Sequence, residues 1–236
     1  VIDQKRGVCV ITGVGPGNGR AISAKFASEG FSVAMLARRA EPIEAFAAEI
    51  EGASAYPTDV TDVDALRQTL AKIQAELGPI SVFVHNAGSG HFKKFMDIEV
   101  EDLHNAIATN TQALLVGGQI AAKDMLDAGH GSIVVIGATA SMRGGIPTGT
   151  FAAAKASQRS MAQTMAKTLG PQGIHVCHVV IDGAIDVPWI RELLPDKPDD
   201  FFLKAEAIAD TVYAITEQDP SAWTFELDIR PFGESF

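Results

Sequence analysis

Apolar positions along the 236-residue chain fall into two patterns that take turns. Short runs rich in Val, Ile and Ala, bounded by glycine and polar residues, alternate with longer Ala-rich stretches whose apolar positions recur at helical spacing. The short runs read as buried strands and the 3.6-residue period as amphipathic helix. The runs predict strands over 7–11, 31–36, 54–56, 80–85, 131–136, 174–180 and 224–229. Between them the pattern predicts helices over 17–28, 42–50, 62–77, 100–126, 150–169 and 204–217. Pro42 suits the first position of its helix, and Thr61 with Asp64 has the spacing of a capping box at the start of the next. Strands and helices in alternation imply βαβ units, whose right-handed crossovers clothe both faces of a parallel sheet. The expectation is one α/β domain, doubly wound around a seven-stranded parallel sheet. The segment 182–202, with Pro188, Pro195 and Pro198, breaks the pattern just after the sixth strand. Open α/β sheets bind ligands at the carboxyl ends of strands, so this segment is expected to act as a substrate lid.

Composition narrows the partners. Hydrophobic residues make up 47% of the chain, enough to bury one large core without a second domain. A net charge of −10 argues against nucleic acid and anionic membranes, which are held mainly by Lys and Arg. A small-molecule partner is expected instead. The sequence shows no 18-residue apolar run and no signal-peptide pattern, so nothing in it targets a membrane. It opens at Val1, and a few residues are expected ahead of that position. Cys9 and Cys177 fall in predicted strands without His or Cys at metal-ligand spacing. Buried thiols in a reducing cytoplasm are expected, and no metal site.

The densest candidate chemistry follows the first strand, where Thr12-Gly13-Val14-Gly15-Pro16-Gly17-Asn18-Gly19 opens the first helix. Glycines let a backbone approach a pyrophosphate, whose charge is met by N–H groups and the helix dipole. A tight strand-to-helix turn with no ligand is the plain alternative. The T-G-x-x-x-G-x-G spacing resembles the short-chain dehydrogenase/reductase family, and further matches follow in order along nearly the whole chain. Asp59-Val60 stands where that family holds adenine, and His85-Asn86-Ala87-Gly88 resembles its N-N-A-G motif with His for the first Asn. Asn110 falls on the long fourth helix where the family keeps a catalytic Asn, and Lys155 ends the Y-x-x-x-K motif. The resemblance implies a Rossmann-type NAD(P)-binding domain, with Lys155 also holding the nicotinamide ribose. It also implies a homodimer or homotetramer, paired through the long fourth helix and the helix of Lys155. Ala108, Ala113, Gly117, Ala153 and Ala156 are the small residues there that would admit close contact, though each equally suits a core. At the end of the second strand, NAD-specific members carry an acid, whereas this chain has Ala37 followed by Arg38 and Arg39. A guanidinium grips a 2′-phosphate, which favours NADP with NAD as the alternative, unless both arginines simply face solvent.

The catalytic pattern breaks at two positions. In the resembled family a Tyr phenol exchanges the substrate's proton, a Ser hydroxyl orients the substrate oxygen, and Lys lowers the Tyr pKa. Here Phe151 occupies the Tyr position and Ala138 the Ser position, which resembles a divergent subgroup that keeps Lys but carries Phe for Tyr. Losing a positioned acid or base costs about 10²–10⁴ in rate. Thr139, Ser141, Thr148 and Thr150 lie near in sequence as replacement hydroxyls, with packing or turn roles as their alternative, and Lys155 acting through water is a further candidate donor. After the sixth strand the family reads P-G-x-x-x-T, whereas this chain has Asp182-Gly183-Ala184-Ile185-Asp186-Val187, leaving the Ile185 backbone for the carboxamide. Asp182 and Asp186 either place charge at the cleft mouth or face solvent. Two readings stand: an NADP-dependent oxidoreductase with an altered proton route, and a catalytically silent NAD(P)-binding sensor or oligomer subunit.

Overall fold

The computed structural model describes residues 6–233. Seven strands form one all-parallel sheet: β1 Val8–Thr12, β2 Ser32–Ala37, β3 Ala53–Pro57, β4 Ile80–His85, β5 Gly131–Ala138, β6 Ile174–Ile181 and the last, β9, Glu226–Ile229. Their order is β3-β2-β1-β4-β5-β6-β9, so the direction of winding reverses between β1 and β4. Open α/β sheets bind ligands at such a reversal. Two further strands, β7 Ala184–Ile185 within the predicted lid segment and β8 Phe202–Leu203 at its end, pair with each other. That segment also holds the helix α7, Pro188–Leu193.

The remaining helices are α1 Asn18–Ser28, α2 Ala40–Glu49, α3 Val63–Leu77, α4 Val100–Ile107, α5 Ala113–Ala128, α6 Gly149–Leu169 and α8 Ala205–Thr216. One core packs Val10, Phe83, Val135 and Val176 of the sheet against Leu66 and Leu70 of α3 and Leu114 of α5. The other packs Ile11, Met35, Val84 and Val179 against Ile22 and Phe26 of α1, Ile43 of α2 and Val212 of α8. Strands buried on both faces lose the alternation of half-buried strands, which is why they appear as continuous apolar runs. Cys9 and Cys177 are buried, free thiols within β1 and β6.

Local chemistry corrects three details. The helix α2 begins at Ala40, which puts Pro42 third rather than first, still in the turn whose N–H groups lack helical partners. The cap of α3 is Asp62, not Thr61: the Asp62 carboxylate accepts from the Asp64 and Ala65 N–H groups. Thr61 is engaged elsewhere, its hydroxyl donating to Asp59 at 2.7 Å. The expected helix over 100–126 is interrupted by a π turn, Ala108–Gln112, set between α4 and α5.

Candidate active site

The first strand ends in a turn that the chain itself locks. Gly13 takes a φ of +72°, and a β-carbon there would collide with the Ala87 backbone. A β-carbon on Gly19 would stand 2.6 Å from Val14 Cα, and one on Gly17 2.9 Å from Val187. Asn86 ties the loop down, donating from Nδ2 to the Gly13 carbonyl at 2.8 Å, while the Ala87 N–H donates to the Thr12 hydroxyl at 3.3 Å. Gly15 is different: beyond its own chain neighbours, no described atom lies within 4 Å of where its β-carbon would be. Internal packing therefore accounts for three glycines and leaves the fourth bare toward open space. At a helix N-terminus, that is the surface a pyrophosphate requires. Asn18, in the first turn of α1, is buried with its Oδ1 lacking a hydrogen-bond partner among the described residues.

These residues line a cleft of about 700 Å³ at the carboxyl ends of the strands. Of the sequence-predicted residues it brings together Gly13, Gly15, Gly17, Asn18, Gly19, Asn86, Gly88, Ala138, Phe151, Lys155 and Ile185. Arg38, Asp59, Val60 and Ala87 are not on its wall. Arg38 and Asp59 are exposed beyond β2 and β3, and Val60 and Ala87 are buried. Burial favours the neutral form of Asp59, but the Thr61 N–H and hydroxyl and the Arg38 charge outweigh it and bring the carboxyl below its ordinary range. Arg38 and Asp59 therefore sense each other at one edge.

Lys155 reaches the cleft floor from α6 and is 4% exposed. Its ammonium donates to the Ile136 carbonyl at 2.7 Å and to Gln158 Oε1 at 3.0 Å. Burial without a carboxylate partner penalises the charged form and pulls its pKa down to about 7. The Phe151 ring lies beside it, 5.9 Å from centroid to Nζ.

Asn110 sits in the π turn and donates to the carbonyls of Ser89 at 2.7 Å and Ala106 at 2.8 Å. Its backbone carbonyl is taken by His85 Nε2 at 3.2 Å, while His85 Nδ1 meets the Thr12 hydroxyl at 3.0 Å. Burial, reinforced by the Lys155 charge, pulls the His85 pKa down to about 3. The ring is thus neutral, donating from Nε2 and accepting at Nδ1.

The nearby hydroxyls are occupied by the chain. Thr139 donates to Asp182, Ser141 accepts from the Ala138 N–H, Thr148 bonds Gly145, and Thr150 donates to the His91 carbonyl. Asp182 and Asp186 are not loose at the mouth, since Arg230 and Arg191 pair with them. Sequence reasoning missed Gln158 and took His85 only as a departure from the N-N-A-G motif. Gln158 lies one helical turn after Lys155, a spacing that would have found it, whereas His85 reaches Asn110 only through the fold.

Residues 7–197 match the family profile described as short chain dehydrogenase. The 3-oxoacyl-[acyl-carrier-protein] reductase FabG of Thermotoga maritima is 31% identical over 194 residues, covering 80% of this chain and 78% of that protein. The L-rhamnose 1-dehydrogenase (NAD(P)(+)) of a Sphingomonas species is 31% identical over 202 residues, covering 83% and 79%. Among solved structures, a short-chain dehydrogenase from Rhodopseudomonas palustris superposes with a TM-score of 0.83 at 32% identity, covering 96% of this chain and 99% of that one.

Proposed function

This chain belongs to the short-chain dehydrogenase family, and from that premise we propose that it is an NADP(H)-dependent oxidoreductase acting on a small carbonyl or alcohol by an altered proton route. The observation that carries the reading is convergence: the bare backbone at Gly15, the amide of Asn86, and Lys155 all open on one cleft. The relative from Sphingomonas carries NAD(P)(+) in its name, and Arg38 tilts the choice toward NADP. A bound nicotinamide dinucleotide supplies the hydride. Gly15 and the start of α1 hold its pyrophosphate, Arg38 its 2′-phosphate, Asp59-Val60 its adenine, and Lys155 with Asn86 the other ribose. Phe151 keeps an aromatic ring at the cleft but has no proton to give, and Ala138 has no hydroxyl to orient a substrate. Lys155 has three N–H bonds, two of them taken by Ile136 and Gln158. With a pKa of about 7, it holds and releases the third proton at neutral pH.

Phe151 and Ala138 favour a second reading, a silent NAD(P)-binding sensor or oligomer subunit. One experiment separates the two. Purified protein is titrated with NADPH by fluorescence and then given a broad carbonyl panel. Binding followed by NADPH consumption supports the enzyme, and binding without consumption of any member supports the sensor. Phe151→Tyr combined with Ala138→Ser should then raise turnover by about a hundredfold or more. The reading also implies a second copy of the chain as partner, and the reducing cytoplasm as its compartment, in keeping with the two free thiols.

A further inference from the structure

The cleft carries a charge opposite to that of the chain that forms it. Asp and Glu number 29 against 19 Lys and Arg, yet among the described residues lining the cleft none is acidic, and the two charged ones, Arg143 and Lys155, are both cations. The carboxylates that the sequence sets beside the cleft are neutralised by partners of their own. Asp182 lies 3.0 Å from Arg230 and accepts from the Thr139 hydroxyl. Asp186 takes a two-pronged grip from Arg191, at 2.6 and 2.8 Å.

The two cations differ in how they are engaged. Lys155 is sunk in the floor and bonded to Ile136 and Gln158. Arg143 stands on the rim, exposed, with no side-chain hydrogen bond or ion pair to any described residue. Its backbone is nevertheless held. The Arg143 N–H donates to the Thr139 carbonyl at 3.2 Å, and the loop that follows is closed by Thr148, whose hydroxyl accepts from the Gly145 N–H at 2.7 Å. The cleft that it lines has apolar walls, Phe92, Phe151, Trp189 and Ile190 among them. A guanidinium held at the edge of an apolar recess, with no acid beside it, is a receptor for an anion. In such surroundings a charge-assisted bond is stronger than in open water.

We propose that Arg143 sets the substrate class of the cleft, selecting a carbonyl or alcohol compound with an apolar body and a terminal carboxylate. The planar fork of one guanidinium matches one carboxylate in geometry and charge. A phosphate monoester, carrying nearly two charges, would call for more donors than this rim offers. The inference rests on the cleft being the substrate site of the oxidoreductase reading, and the test separates the two.

The full chain, saturated with NADPH, is titrated with levulinate and its longer straight-chain homologues, each beside its methyl ester. Binding is followed by the fluorescence of Trp189 on the cleft wall, and NADPH consumption is recorded in the same samples. The acids are expected to bind at least about tenfold more tightly than their esters. Arg143→Gln should abolish that preference without weakening the esters, and Arg143→Lys should restore part of it. Equal binding of acids and esters, no binding of either series, or a preference that survives Arg143→Gln would overturn the inference. Acid-selective binding lost in Arg143→Gln, with no NADPH consumed, keeps Arg143 as the carboxylate contact and counts against the oxidoreductase reading. Acids and esters consumed at equal rates by wild type and variant do the reverse.

Discussion

Lys155 brings an ammonium group into a place that holds no carboxylate, and the consequence is measurable without any substrate. Its pKa falls from an ordinary value near 10.5 to about 7 because burial disfavours the charge. Between those values the unfolded chain binds a proton that the folded chain does not, so this group makes stability rise with pH across that window. Below about 7 both states are protonated, and the fold carries the full cost of the buried charge. Lys155→Met should remove a slope approaching about 1.4 kcal/mol per pH unit, read from urea unfolding of wild type and variant between neutral and alkaline pH. Identical slopes would mean that Lys155 titrates as if in water. Arg38 makes a second prediction at this scale: Arg38→Ala should weaken NADPH by about tenfold or more while NADH changes little, and equal weakening would count against a 2′-phosphate contact. Individual residues were legible where neighbours in sequence define them. The glycine loop, Lys155 and the missing hydroxyls at 138 and 151 could all be read by counting. Their partners could not, because Lys155 meets the Ile136 carbonyl across 19 positions, and Asn110 meets His85 through its backbone carbonyl across 25 and Ser89 through its side chain across 21.

Elements are joined by polar contacts that no periodicity encodes. Asp124 on α5 accepts from Gln74 of α3 through both carboxylate oxygens, at 2.9 and 2.8 Å, and from the N–H of Ile80, the first residue of β4, at 2.8 Å. One carboxylate thus sets two helices and a strand against each other. Asp124→Ala would leave the N–H of a residue only 1% exposed without its acceptor, at a cost of about 1–3 kcal/mol. Chemical denaturation measures this, and a variant as stable as wild type would show that water replaces the clamp. Hydrophobic spacing was sufficient to place the main strands and helices, since each core face repeats with its element's own period. It was blind to the π turn at Ala108–Gln112, because five residues are too few to shift a pattern averaged over twenty-seven. It also mistook the cap of α3, where Thr61 and Asp62 are equally able and only the contact with Asp59 decides.

Across the whole molecule, the outer surface of α6 presents Ala153 and Ala156 to solvent, whereas Ala113 and Gly117 of α5 are buried in the core and Ala108 is half-buried. Self-association through α6 would therefore use the first pair and not the second. Light scattering should give two or four times the mass of one chain, and Ala153→Arg should lower it; a wild-type mass of one chain would remove the oligomer from the proposal. The division of labour among the four loop glycines has a consequence for how this protein tolerates change. Gly13, Gly17 and Gly19 are demanded by the fold, so their loss is visible to any assay of folding. Gly15→Ala meets no described atom beyond its own chain neighbours, and by restricting the unfolded chain it should raise stability by about 0.4–1 kcal/mol while NADPH binding collapses. A screen that ranks variants by thermal resistance would retain such a chain as an improvement, and only a titration with the dinucleotide would reveal that it had become a well-folded blank.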